Sequence, residues 1–316
     1  MKRWISGLIM LALLTGCNKE ALVGVASIAT GTDATLYKIT MVNDSIGFAC
    51  GGEKYSKGVL LRTRNGGKSW LVDSVADKAL YDLHFFRPEK GVIAGFDAFW
   101  AVTSDSGKTF SGGHQANYKP YRAISFLNEH SAVLAYGDGY SNGGWAISHD
   151  GGQQWQLDSD NQHACYACSY LSDSVILVAG YGTITRSING GLQFAPVLEH
   201  GDIYVAMCFP NEHTGFAVGY NGAIEHTSNS GYSWDRQKSL NTAWGKQDHF
   251  YGIHFFDLNH GCAVGESGLM MVTDDGGHHW QRVKPFTDED LRSVYMTSAQ
   301  SGVVVGTHGK LFMFTF

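Results

Sequence analysis

Six copies of one eight-residue turn constrain this chain more than any other feature. They read TRNGGKSW from Thr63, TSDSGKTF from Thr103, SHDGGQQW from Ser148, SINGGLQF from Ser187, TSNSGYSW from Thr227 and TDDGGHHW from Thr273. Successive copies start 40, 45, 39, 40 and 46 residues apart, a period that belongs to propeller blades and exceeds any single hairpin. The first Ser or Thr and the third residue (Asn65, Asp105, Asp150, Asn189, Asn229, Asp275) have side chains able to bond turn amides. The glycines supply positive φ. The closing Trp or Phe (Trp70, Phe110, Trp155, Phe194, Trp234, Trp280) brings apolar surface to wedge against the next repeat.

A glycine-punctuated strand precedes each turn, as in GFACGG at Gly47, GVIAGFD at Gly91 and GFAVGYNG at Gly215. There are seven such strands against six turns, the last being GVVVGTHG at Gly302, so the final unit lacks an outer strand. The N-terminal stretch ALVGVASIA from Ala21 has the alternating apolar character to supply it. The expected fold is all-β: a seven-bladed β-propeller of four-stranded blades, closed by an N-terminal strand that completes the last blade and removes the open sheet edges. Inner strands are expected around Ile39, Leu83, Ile124, Cys168, Met207, Ile253 and Val294, with small or polar neighbours where blades crowd the axis. Gly at 40 of 316 residues and charged residues at 16% fit blades buried on both faces.

The turn resembles the Asp-box, or BNR, repeat of sialidases and sortilin-like receptors. With the glycine strands and inner-strand strings such as YRAISF and LRSVYM, the chain looks like the photosystem II stability/assembly-factor-like propellers. That resemblance implies a noncatalytic scaffold holding a partner protein during assembly. It also implies that the boxes lie opposite the working face. The family's photosynthetic members carry an arginine-rich patch, and here only Arg122 and Arg292 repeat at the matching inner-strand position. Arg122, Arg292, Trp100, Tyr118, Tyr140, Trp145, Trp244 and His249 are the candidate partner-binding residues, since exposed aromatics and arginines anchor interfaces.

Aromatics also stack on sugars, which leaves a carbohydrate-binding protein or a sialidase-like glycoside hydrolase as the alternative. The sialidase signature Arg-Ile-Pro is absent and its arginine triad incomplete. A carboxylate pair could still arise from Asp97, Asp138, Asp248 or Asp290. No catalytic residue is assigned, and no metal or cofactor is expected. The pairs His278–His279 and Asp274–Asp275 occupy a box turn. The CxxC of Cys165 and Cys168 has no second pair to complete a zinc site.

The N-terminus carries a separate message. Lys2 and Arg3 precede an apolar run, Trp4 to Leu14, too short to span a bilayer. Leu14-Thr15-Gly16-Cys17 resembles the lipobox of bacterial lipoproteins, which implies a signal peptide over 1–16 and lipidation of Cys17. A single propeller over 17–316 is then tethered to a membrane of the cell envelope, the outer membrane favoured by Asn18. Its partner is an envelope protein or a glycan, and it is expected to act as a monomer. A net charge of −6 without a basic run argues against nucleic acid.

Overall fold

The computed structural model describes residues 24–115, 118–139, 142–158, 163–238 and 248–316. The signal peptide expected over 1–16 and the expected lipidation site Cys17 lie outside these residues, as do Tyr140 and Trp244. The architecture is an all-β propeller. Its first blade runs outward through Leu36–Met41, Gly47–Glu53, Lys57–Thr63 and Leu71–Ala76. The second (Leu80–Arg87, Lys90–Gly95, Phe99–Thr103, Ser111–His114) and third (Tyr121–Phe126, Ala132–Gly137, Gly143–Ser148, Gln156–Leu157) repeat that order. After a larger sheet, Phe250–Phe255, Gly261–Gly265, Met270–Thr273 and Gln281–Arg282 make a fourth.

The closing blade joins both ends of the chain. Gly24–Ser27 pairs antiparallel with Leu311–Thr315, Gly24 opposite Thr315 and Ser27 opposite Phe312, outside Ser301–Gly306 and Leu291–Met296. Its inner strand then packs on that of the first blade, and the Ile39 amide donates to Ser293 Oγ across the seam at 3.3 Å.

The expectation of seven four-stranded blades is overturned: five stand as separate four-stranded sheets, and the strands between Cys165 and Lys238 form one six-stranded sheet. Elsewhere a loop parts the second and third strands of a repeat, but Ile176–Ser187 runs through Tyr181 and Gly182 without one. Ala195–Cys208 likewise runs unbroken from an outer to an inner position, and Tyr181 pairs with Ile203 across the join. The Thr185 hydroxyl donates to the Val178 carbonyl at 3.2 Å. Extended chain advances about 3.3 Å per residue, so the long strand must turn back near Gly182, whose φ is +82°. Counting glycine strands therefore overstates the number of separate sheets.

The core lies between sheets. Second strands such as Ala132–Gly137 are buried at every residue, and Phe48 stacks on Phe85 and Phe216 on Phe255 across blade boundaries, with centroids 3.5 and 3.8 Å apart. The second glycine of each glycine strand has a local cause: a Cβ on Gly95 would collide with the Ala79 carbonyl, where the chain enters the inner strand.

Candidate functional site

The box end and the opposite end are built differently. In all six boxes the Ser or Thr hydroxyl donates to the Asp or Asn Oδ1 at 2.8 to 3.0 Å. It also accepts the amide four residues on, Gly67 and Gly107 among them, at 2.8 to 3.0 Å. The amide of the fourth box residue then reaches the turn between the first two strands, as from Gly66 to the Ser45 carbonyl at 2.9 Å. His279 Nδ1 lies 2.6 Å from Asp275 Oδ2 on the exposed turn.

At the other end every inner strand enters through a β-bulge. The register shifts fall between Leu36 and Lys38, Leu80 and Asp82, Tyr121 and Ala123, Cys165 and Ala167, Tyr204 and Ala206, Phe250 and Gly252, and Leu291 and Ser293. The residue skipped at each is Tyr37, Tyr81, Arg122, Tyr166, Val205, Tyr251 or Arg292. A bulge re-aims its extra side chain, and all of these line one axial cavity of about 310 Å³.

Within this mouth the cations sit on phenol faces. The Arg122 guanidinium lies 4.8 Å from the Tyr81 ring and 5.6 Å from Tyr166, with Nε donating to the Gly137 carbonyl at 3.1 Å. Arg292 lies 4.0 Å over Tyr251 and donates to Asp290 at 2.7 Å. Such contacts fix the planar guanidinium while leaving its edge able to bind an anion. Burial pushes the Tyr81 and Tyr251 hydroxyls up to about 12 against the pull of the arginines, so both are neutral phenols at pH 7.

Deeper in the cavity, Asp82 accepts the amides of Leu83 and Ile124, each at 2.8 Å, and pairs with Lys38 at 3.2 Å. Asp82 holds the Lys38 ammonium above its ordinary value although burial opposes this. His84 and His254 are both held down to about 4, chiefly by burial and then by Lys38. The charged residues of the lining are Lys38, Arg122 and Arg292 against Asp82. Each of the three cations has a carboxylate partner, Asp82 for Lys38, Asp138 for Arg122 and Asp290 for Arg292, so positive charge is gathered at the axis but compensated there.

The structure brings Arg122 and Arg292 together around this mouth, while His249 lies outside its lining and connects to it through Tyr220. His249 stacks on Tyr220 at 4.4 Å with Nδ1 2.6 Å from the Tyr220 carbonyl, and Tyr220 neighbours Tyr251. The other described aromatics lie elsewhere. Trp100 packs on the core of the third blade, Trp145 packs on Phe194 at 4.3 Å, and Tyr118 is exposed in the loop before Tyr121. Tyr37, Tyr81, Tyr166, Tyr251, Lys38 and Asp82 were not among the expected site residues. The signal for the four tyrosines was present: they occupy the repeat column that holds Arg122 and Arg292.

Each carboxylate considered for hydrolysis is engaged by a basic side chain. Asp97 meets Lys78 at 3.1 Å, Asp138 meets Arg122 at 3.4 Å, Asp290 meets Arg292, and Asp248 meets Lys238 and Arg282. Burial alone would raise Asp248, but Arg282 and Lys238 outweigh it and hold the carboxyl below its usual range. A general acid needs the opposite shift. The thiols of Cys165, Cys168, Cys208 and Cys262 are free and raised by burial, which makes them packing groups and not nucleophiles.

The fold and the mouth define a β-propeller with a bulge-lined axial opening, and part of the chain is similar to a known family. The family model described as photosynthesis system II assembly factor YCF48 matches residues 193–291. Among solved structures, YCF48 bound to D1 peptide is 18% identical with a TM-score of 0.70, over 92% of this chain and 97% of that one. YCF48 from Cyanidioschyzon merolae is 16% identical with a TM-score of 0.69, over 92% and 98%. The WD40 propeller domain of Doa1 superposes as well, at 15% identity and a TM-score of 0.69 over 92% and 95%, so likeness at this level shows the fold alone. No curated protein matches the chain in sequence.

Proposed function

We propose that this chain is a noncatalytic binding propeller that holds a protein of the cell envelope by an acidic or carboxylate-bearing segment at the mouth of its axial cavity. The observation that carries this reading is the bulge column itself, which gathers Arg122, Arg292 and four tyrosines above Lys38. The solved YCF48 structure with a bound D1 peptide supports a protein partner in general terms. Neutral phenols and ion-paired carboxylates at this end give no acid–base pair to work with. In this reading residues 1–16 are removed, Cys17 carries the lipid that tethers a monomer to the outer membrane, and the box end plays no part in recognition.

Crosslinking and affinity capture from native membranes with the full chain tests it, against Arg122→Ala/Arg292→Ala and Cys17→Ser variants. One envelope protein should be captured by the parent and lost with the double arginine variant. The Cys17→Ser chain should appear in the soluble fraction. Capture unchanged by loss of both arginines would remove the mouth as the binding site, and capture of glycan alone would replace the protein partner with a carbohydrate.

A further inference from the structure

A second cavity, of about 430 Å³, lies at the side of the propeller between the third blade and the six-stranded sheet, away from the axis. That volume falls within the ~300–1,000 Å³ of small-molecule sites. Its walls include Trp145, Phe194, Val178 and Pro196, with Thr183 and Glu199 supplying polar groups. Four and two residues before the box, the first blade places Val59 and Leu61 and the fourth places Leu269 and Met271, all buried. The corresponding residues here are Thr183 and Thr185, and both line the cavity.

Two polar atoms of this lining, Trp145 Nε1 and Thr183 Oγ1, are buried without a hydrogen-bond partner. An unanswered buried donor is costly, and an indole N–H can only donate. The missing partner is therefore an acceptor. The lining holds Glu199 and His163 and no lysine or arginine, so it offers an anion no permanent positive charge; a cation would leave the indole N–H unanswered. The Trp145 and Phe194 rings meet at 45°, offering a face and an edge to a third ring. We infer that this cavity is a binding site for a small uncharged aromatic compound carrying a carbonyl oxygen, which accepts from Trp145 and Thr183 while its ring packs on Trp145 and Phe194.

Acetanilide has this chemistry and serves as the probe. Its binding to the full chain is followed by saturation-transfer NMR, with methyl β-glucoside in parallel and circular dichroism checking each fold. Saturable acetanilide binding is expected, weakened about fivefold by Trp145→Phe and again by Thr183→Val, the loss of one hydrogen bond each. If Trp145→Phe does not fold, the near-isosteric Thr183→Val carries the test alone. Absence of saturable binding, equal binding in parent and variants, or binding of the glucoside in place of acetanilide would each overturn the assignment.

Discussion

The box end and the channel mouth are made from the same repeat but use it in opposite ways. At the box end each copy satisfies its own amides, so Thr63, Thr103, Ser148, Ser187, Thr227 and Thr273 perform one identical task. At the mouth one column holds four tyrosines, two arginines and a valine, held by partners from neighbouring repeats, as where Arg122 lies between Tyr81 and Tyr166. Local self-sufficiency makes a position repeat; dependence on neighbours lets it diverge. In the proposed reading, stability and recognition then fall at opposite ends of one scaffold.

The largest expected effect breaks the box end at its wedge. Trp155 is buried against the core between the second and third blades, so Trp155→Ala should cost about 3 to 5 kcal/mol in urea unfolding. Trp234, only partly buried, should cost less, and equal losses would refute the packing account. Next comes the axis: Asp82→Ala orphans the amides of Leu83 and Ile124, a loss of about 2 to 3 kcal/mol. Lys38, crowded by the axis yet still reached by water at its side chain, adds little to this. A smaller change should follow Thr103→Val, which removes the hydroxyl bonded to Gly107 and Asp105 and should cost about 1 to 2 kcal/mol. A neutral result would show that the turn holds its shape through glycine geometry alone.

The sequence exposes these two ends unequally, for a physical reason. A box is closed by bonds spanning at most four residues, so its period and its role are both visible along the chain, as is the need for Gly24–Ser27 to complete the closing blade. The mouth depends on where bulges fall and on which repeats are neighbours. Trp100 and Trp145 therefore looked like interface anchors until their core contacts were seen, while Tyr37 and Tyr81, 5.0 Å apart across a blade boundary, gave no local sign of meeting. The merging of two repeats into one sheet was hidden likewise, because it rests on the Tyr181 to Ile203 pairing across a connection.

The gentlest perturbation separates the axial channel from the boxes by pH. Burial holds His84 and His254 at about 4 in the folded channel, whereas free imidazole titrates near ~6.5. The unfolded chain therefore binds more protons as pH falls below that value, and the stability they contribute is complete above ~6.5 and lost on the way down to 4. At the box end Asp105 is held at about 2, first by its bonds from Thr109, and Asp275 also at about 2, where bonds from His279 and Thr273 outweigh the burial that would raise it. Their contribution is present above an unfolded value near ~3.9 and disappears as pH falls toward 2. Urea midpoints across this range should show both declines. Asn stands naturally in three boxes, so Asp105→Asn/Asp275→Asn should keep the turns and lessen only the lower decline, to which Asp150 and other bonded carboxyls still contribute. If the double variant also flattens the upper one, the channel wall and the boxes are coupled and cannot be treated as independent parts of the repeat.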